Sequence, residues 1–179
     1  MTQTPALVIR PAQPADAAAC ARIYGHYVRE SVATFETVAP SPAQMSQRMA
    51  EAARRHLWLV ACRGDDVLGY ACAHAFGERQ AFDWTCETSV YVDIDAQAGG
   101  IGRALMTELI DGLTTLGQRR AVARIEASNV GSVRLHERLG FRSAGTLERV
   151  GFKHGAWRDL VLLQLDLAAD GVDLESAPV

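Results

Sequence analysis

The apolar positions of this chain change their period several times, and each change marks an expected element. A short β-prone run, LVIRPA at residues 7–12, leads into the alanine-rich PADAAACARIYGHYVRE, which predicts a helix with Asp16 near its start. SVATFETVAPSP mixes β-branched residues with prolines and reads as a long ordered loop. PAQMSQRMAEAARR predicts a second helix, opening on Pro42 behind a cap at Ser41. LWLVACRGDDVLGYACAHAF holds two β-like runs about a Gly-Asp-Asp turn and predicts an antiparallel hairpin. In TCETSVYVDI, Val90, Val92 and Ile94 share one face of a strand, and Glu87, Ser89 and Tyr91 share the other. The period then becomes helical: Leu105, Leu109 and Leu113 form a stripe, Leu116 extends it, and Gly117 is the expected stop. RRAVARIEAS predicts another strand, and NVGSVRLHERLG a shorter helix capped by Asn129 and ended by Gly140. FRSAGTLERVGFKHGAWRDLVLLQLDL predicts two closing strands, before a tail from residue 168 that is expected to fray.

The order β-α-α-β-β-β-α-β-α-β-β predicts one mixed α/β sheet, with antiparallel hairpins and one parallel crossover. With 179 residues and no internal repeat, a single domain with its core at about 7–167 is expected. Composition changes this picture little: 49% hydrophobic and 22% charged residues are ordinary for a globular protein. A net charge of −3 supplies no broad basic field, so nucleic acid is not an expected partner. No apolar run approaches the roughly 20 residues that span a bilayer, so no membrane partner is expected. MTQTPALVIRP lacks a charged-then-apolar export signal, which makes a cytoplasmic location the default. Cys20, Cys62, Cys72 and Cys86 form no Cys-x-x-Cys pair and suggest neither a disulfide nor a metal site. They read as small buried residues; Cys86 is held apart because it adjoins Glu87.

Candidate chemistry begins at Gln97-Ala-Gly-Gly-Ile-Gly102, between a strand and a helix. A glycine-rich turn there bares backbone N–H groups at the positive end of a helix, which suits a phosphate or pyrophosphate. The alternative is a tight connection that needs positive φ and binds nothing. A Walker loop would end in Gly-Lys-Ser/Thr, whereas Arg103 and Ala104 follow Gly102. A dinucleotide fingerprint would place glycine where Leu105 stands.

Gln97-x-x-Gly100-x-Gly102-Arg103-Ala104-Leu105, after a Val-Tyr-Val strand, resembles the pyrophosphate loop of the GNAT superfamily of acyl-CoA N-acyltransferases. About 26 residues on, NVGSVRLHERLGF resembles that superfamily's second motif, an asparagine-opened helix ending in Gly-Phe. HYVRESVATFET, AFDWTCETSVYV and RVGFKHGAWRD add a narrower resemblance to the phosphinothricin N-acetyltransferase family and its methionine sulfoximine-acetylating relatives. The resemblance spans residues 7 to about 167. It implies a GNAT-type mixed, mostly antiparallel central sheet flanked by helices, with acetyl-CoA as co-substrate and no metal.

The resemblance also implies roles. Glu87 matches the family's general base, which takes the proton from an acceptor amine; an exposed strand carboxylate is the plainer alternative. His136 stands where many superfamily members carry a tyrosine that protonates the leaving thiolate, and histidine also serves in the narrower family. A packed histidine on a helix face is the alternative there. Val90, Tyr91 and Val92 would pair with the pantetheine arm through a splayed strand, and one of their N–H groups would polarise the thioester carbonyl. Gln97, Ala98, Gly99, Gly100, Ile101, Gly102, Arg103 and Ala104 would surround the pyrophosphate, with Asn129 and Ser132 at the second-motif helix; a solvated Arg103 stays open.

For the acceptor, Phe35, Arg79, Trp84, Glu87 and Ser89 are the expected contacts. Gly77 stands where the family carries a lysine, and Phe82 where tyrosine also occurs, departures that bear on phosphinothricin more than on the reaction. Lys153 and His154 sit at a hairpin tip, facing either substrate or a second subunit, and a homodimer is the family expectation. The reading is thus an N-acetyltransferase for the α-amine of a small amino-acid-like acceptor such as phosphinothricin, methionine sulfoximine or methionine sulfone. A protein N-terminal acetyltransferase and a non-catalytic acyl-CoA sensor are the alternatives.

Overall fold

A computed structural model of the chain describes residues 5–167, so the expected fraying tail lies outside the described residues. Seven strands form one sheet in the order β1-β2-β3-β4-β5-β7-β6. They are β1 (Leu7–Pro11), β2 (Trp58–Arg63), β3 (Asp66–Ala75), β4 (Thr85–Val92), β5 (Arg120–Glu126), β6 (Arg142–Lys153) and β7 (Ala156–Asp166). Every neighbouring pair is antiparallel except β4 and β5, which run parallel. The helices are α1 (Ala17–Glu30), α2 (Pro42–Ala52), α3 (Ile101–Thr115) and α4 (Val130–Arg138). Every element the periodicity predicts is present, in the predicted order, and the parallel crossover runs through α3.

Alternation along the strands feeds two apolar layers. Leu59 and Ala61 of β2 join the α3 side, whereas Val60 and Cys62 join the side covered by α1 and α2. On α3 the stripe Leu105, Leu109 and Leu113 is wholly buried, each side chain worth roughly 1.5–3 kcal/mol of burial. Leu116 does not extend that stripe: it caps the helix, 52% exposed, and Gly117 turns the chain away at φ +82°.

Caps fix the helix starts. Ser41 Oγ accepts from the Gln44 amide at 3.2 Å while Gln44 Oε1 accepts from the Ser41 amide at 2.8 Å, a reciprocal box worth about 1 kcal/mol. Asp16 accepts from the Gln13 amide at 2.7 Å and binds Arg10 through both oxygens at 2.7 and 2.9 Å, tying β1 to α1.

Two local departures shape the site. β4 stops at Val92 and not at Ile94, because the Asp93 carboxylate accepts from the Asp95 amide and starts a 3-10 turn over Ile94–Gly99. The parallel ladder of β4 on β5 pairs only Thr85 with Arg120, Cys86 with Ala121, and Glu87 with Val122. Beyond Glu87 the two strands part, and a wedge opens between them.

Candidate active site

The wedge holds a cavity of about 370 Å³. One wall is β4 from Thr88 to Val92, the other is β5 from Ala123 to Ile125, and α4 closes its side. The Gly-rich loop forms its end. Gly100 has φ +69°, a left-handed conformation that glycine adopts without strain, and α3 begins at the next residue. The helical ladder starts with the Ala104 amide on the Gly100 carbonyl at 3.0 Å, so the first-turn amides before it have no helical acceptor. The loop is pinned from outside: Gln97 Nε2 donates to the Tyr27 hydroxyl at 3.0 Å, and that hydroxyl donates to the Val92 carbonyl at 2.5 Å.

Of the expected cofactor contacts, Val90, Tyr91, Val92, Gln97, Gly100, Gly102, Arg103, Asn129 and Ser132 all line this cavity. Asn129 also caps α4, accepting from the Ser132 amide at 3.2 Å. Ile101 instead points into the core at 2% exposure, Gly99 faces a different groove, and neither Gly99 nor Ala104 reaches the wedge. Ala98 contributes backbone to the 3-10 turn.

Glu87 sits at the point where the ladder breaks and is 7% exposed, not a solvated strand carboxylate. It lines a second cavity of about 390 Å³ with Phe35, Ser89 and Tyr91. The wedge and this second cavity share Ala33, Ser89, Tyr91 and Arg124. Three carboxylates line the second cavity, and their partners separate them. Glu36 is held by both Arg48 Nη atoms at 2.7 and 3.0 Å and by the Tyr24 hydroxyl at 3.0 Å. Glu126 accepts from the amide of Ser128 at 2.9 Å and from its hydroxyl. Glu87 meets only side chains: an ion pair to Arg124 and, at 3.8 Å, Nε2 of His74. Burial lowers the His74 pKa, Glu87 raises it and Arg124 lowers it again, and the balance leaves it below its usual value.

His136 lines the wedge and is 2% exposed. Its Nδ1 lies 2.8 Å from the Ser132 carbonyl, an acceptor, so Nδ1 carries the proton and donates. Burial lowers the pKa of the ring, and Nε2 is buried without a protein partner. At neutral pH this Nε2 is therefore a lone-pair acceptor in the cavity wall. Cys86, next to Glu87, is wholly buried, and burial pushes its thiol up to about 12; it faces the Arg120 carbonyl and lines neither the wedge nor the Glu87 cavity.

Phe35 lines the cavity that holds Glu87, and the β6–β7 hairpin holds it there. A Cβ on Gly151 would lie 3.0 Å from Phe35 Cε2, so glycine lets the β6–β7 hairpin close on that ring. Lys153 Nζ, buried, donates to the Thr34 carbonyl at 2.7 Å, and His154 Nε2 donates to the Ser31 carbonyl at 3.2 Å. Both residues clasp the 31–36 loop. Arg79 and Trp84, by contrast, line none of the cavities described and are exposed. Their connection is pinned elsewhere, by Asp83 on both Nη atoms of Arg55 and by Phe76 packed on Phe82. Gly77 and Phe82, the two departures from the family pattern, turn out to be neighbours: a Cβ at Gly77 would fall 2.9 Å from the Phe82 ring. His74, Arg124, Tyr27 and Glu36 are site residues that the sequence reading missed, and only the strand register and α1 packing bring them in.

The model of the acetyltransferase (GNAT) family matches residues 20–141. A phosphinothricin N-acetyltransferase of Streptomyces viridochromogenes is 40% identical over 158 residues, covering 88% of this chain and 86% of that protein. An L-methionine sulfoximine/L-methionine sulfone acetyltransferase of Salmonella typhimurium is 38% identical, covering 90% of this chain and 95% of its own length. Among solved structures, a phosphinothricin acetyltransferase from Sinorhizobium meliloti in complex with acetyl-CoA superimposes with a TM-score of 0.87 at 35% identity, over 93% of this chain and 95% of that one.

Proposed function

The chain belongs to the GNAT acetyltransferase family, and from that premise we propose that it moves an acetyl group from acetyl-CoA to the α-amine of a small amino-acid-like acceptor, such as phosphinothricin, methionine sulfoximine or methionine sulfone. The observation that carries the reading is the meeting of two cavities at Ser89, Tyr91 and Arg124, with Glu87 in one and the Gly-rich loop at the end of the other. Glu87 takes a proton from the acceptor's ammonium. The freed nitrogen lone pair forms the C–N bond to the thioester carbonyl, the C–S bond breaks, and the second proton, shed as the nitrogen becomes an amide, ends on the departing sulfur to give the free thiol. His136 is the polar group at the thiol end: its neutral ring accepts through Nε2 from the S–H of the released thiol. The wedge residues named above hold the pantetheine arm, and the first-turn amides of α3 with Arg103 face the pyrophosphate.

We also propose a homodimer in the cytoplasm. An exposed apolar strip on the β6–β7 hairpin, with Val150 at 50%, Phe152 at 59% and Trp157 at 62%, supports the first part. Among the described residues no helix is long and apolar enough to cross a membrane. Sedimentation of the purified protein as a monomer at micromolar concentration would set the dimer aside.

The direct test of the activity is thiol release from acetyl-CoA with phosphinothricin, methionine sulfoximine, methionine sulfone and an N-terminal alanine peptide. Release with the free amino acids is expected. Release with the peptide alone would make this a protein N-terminal acetyltransferase, and binding of acetyl-CoA with no release would make it a sensor.

A further inference from the structure

We propose that Arg124 anchors the acceptor's α-carboxylate, exchanging Glu87 for that carboxylate when a zwitterionic amino acid enters. The proposal rests on the acetyltransferase reading above and deepens it: Arg124 becomes the residue that restricts the enzyme to amines with an adjacent carboxylate.

Alternation along two strands brings the pair to one face. Ala121, Ala123 and Ile125 of β5 pack into the core with α3, as do Cys86 and Val90 of β4, so Arg124 and Glu87 both face the other way. The parallel ladder ends at Glu87 and Val122, and Arg124 stands two residues beyond it, where the strands have parted. Its side chain reaches back across the gap to Glu87 and lines both the wedge and the Glu87 cavity.

As a resting contact the pair leaves both partners incomplete. Glu87 Oε2 is buried yet accepts no hydrogen bond, so charge without an aligned donor joins it to Arg124. The Arg124 side chain is half-exposed, and its guanidinium occupies the place to which the acceptor's ammonium must come.

An α-amino acid carries an ammonium and a carboxylate on one carbon, the two charges that this pair complements. Its ammonium supplies the donor that Oε2 lacks, and its carboxylate accepts the two parallel N–H bonds that a guanidinium offers a planar anion. No neighbouring cation competes for that carboxylate. Glu36 and Arg48 neutralise each other through both Nη atoms, and Lys153 Nζ is engaged by the Thr34 carbonyl. Burial above all keeps His74 below its usual pKa, and so neutral at pH 7. Among the described residues lining the Glu87 cavity, Arg124 is the single permanent cation.

A free amino acid and its own α-carboxamide make the test, with methionine sulfone and phosphinothricin each compared in this way. The carboxamide keeps the shape, loses the charge and has the more readily deprotonated amine, so poorer use of it reads the missing carboxylate. Wild-type kcat/KM should be about 10²-fold or more higher for the free acid. Arg124→Gln should lower kcat/KM for the acid about 10²-fold and leave that for the carboxamide within about threefold, so the preference collapses. Arg124→Lys, which keeps the charge without the fork, should fall between. An equal loss for acid and carboxamide in Arg124→Gln would mean that Arg124 only steadies Glu87, and would overturn the proposal. A wild type that uses the carboxamide as well as the acid would overturn it without any variant. No release with any amine would remove the acetyltransferase reading itself, and this one with it.

Discussion

Glu87 is distinguished from Glu36 and Glu126 by what its oxygens touch. Those two are taken up by Arg48 and Ser128, whereas Glu87 faces Arg124 and His74 at the mouth shared by two cavities. Glu87→Gln keeps the shape and removes the base, so turnover should fall about 10²–10⁴-fold with the far-UV spectrum unchanged. Near-wild-type rates between about pH 6 and 8 would take Glu87 out of that role. The period of two in β4 was enough to place Glu87, Ser89 and Tyr91 on one face, and the loop motif said which ligand that face serves. His74 and Arg124 carried no such mark. His74 reaches Glu87 by antiparallel pairing and Arg124 from two residues past the last parallel pair, and local pattern does not state register. Arg79 is a different case: a motif residue that stands exposed and outside the cavities described, on a connection that Asp83 anchors to Arg55.

At the scale of elements, the β6–β7 hairpin was legible as two strands about a Gly155 turn, but its docking on the 31–36 loop was not. That docking is a buried ammonium on one carbonyl, a ring on another, and a glycine that admits Phe35. Lys153→Met keeps the bulk and loses the charged hydrogen bond, which is worth about 1.5–3 kcal/mol. The expected result is a rise in KM for the acceptor with KM for acetyl-CoA held, measured by varying each substrate at saturation of the other. A rise in both constants, or in neither, would argue that the hairpin does not position the loop. The glycine loop was read from sequence as a phosphate turn or a tight connection needing positive φ, and the structure shows the positive φ, +69° at Gly100. Gly100→Ala places a Cβ in the left-handed region at a cost of about 1–2 kcal/mol. It should lower the melting temperature and weaken acetyl-CoA binding together, as calorimetry can record.

For the whole molecule, the order of elements followed from periodicity, because both layers of the core depend on residues that alternate locally. The strand order β5-β7-β6 did not follow, since it depends on where β7 returns. The four cysteines behave as composition suggested. All are buried and free, and burial pushes the thiols of Cys20, Cys72 and Cys86 up to about 12. Near pH 8 only about one such thiol in ten thousand is a thiolate. A disulfide reagent should therefore label almost nothing in the folded protein and all four thiols in denaturant; rapid labelling of the folded protein would contradict that burial. The short ladder between β4 and β5 has a thermodynamic consequence as well. Among the described residues the ladder across that seam has three residue pairs, extended by the Arg119 amide on the Trp84 carbonyl at 2.8 Å, so little backbone pairing joins one half of the sheet to the other. A molecule that touches both walls of the wedge completes the seam and favours the folded state by mass action, about 2.7 kcal/mol at a hundredfold excess over its Kd. Heat resistance should then depend on the concentration of coenzyme, and amide exchange along Thr88–Val92 should slow when coenzyme is added.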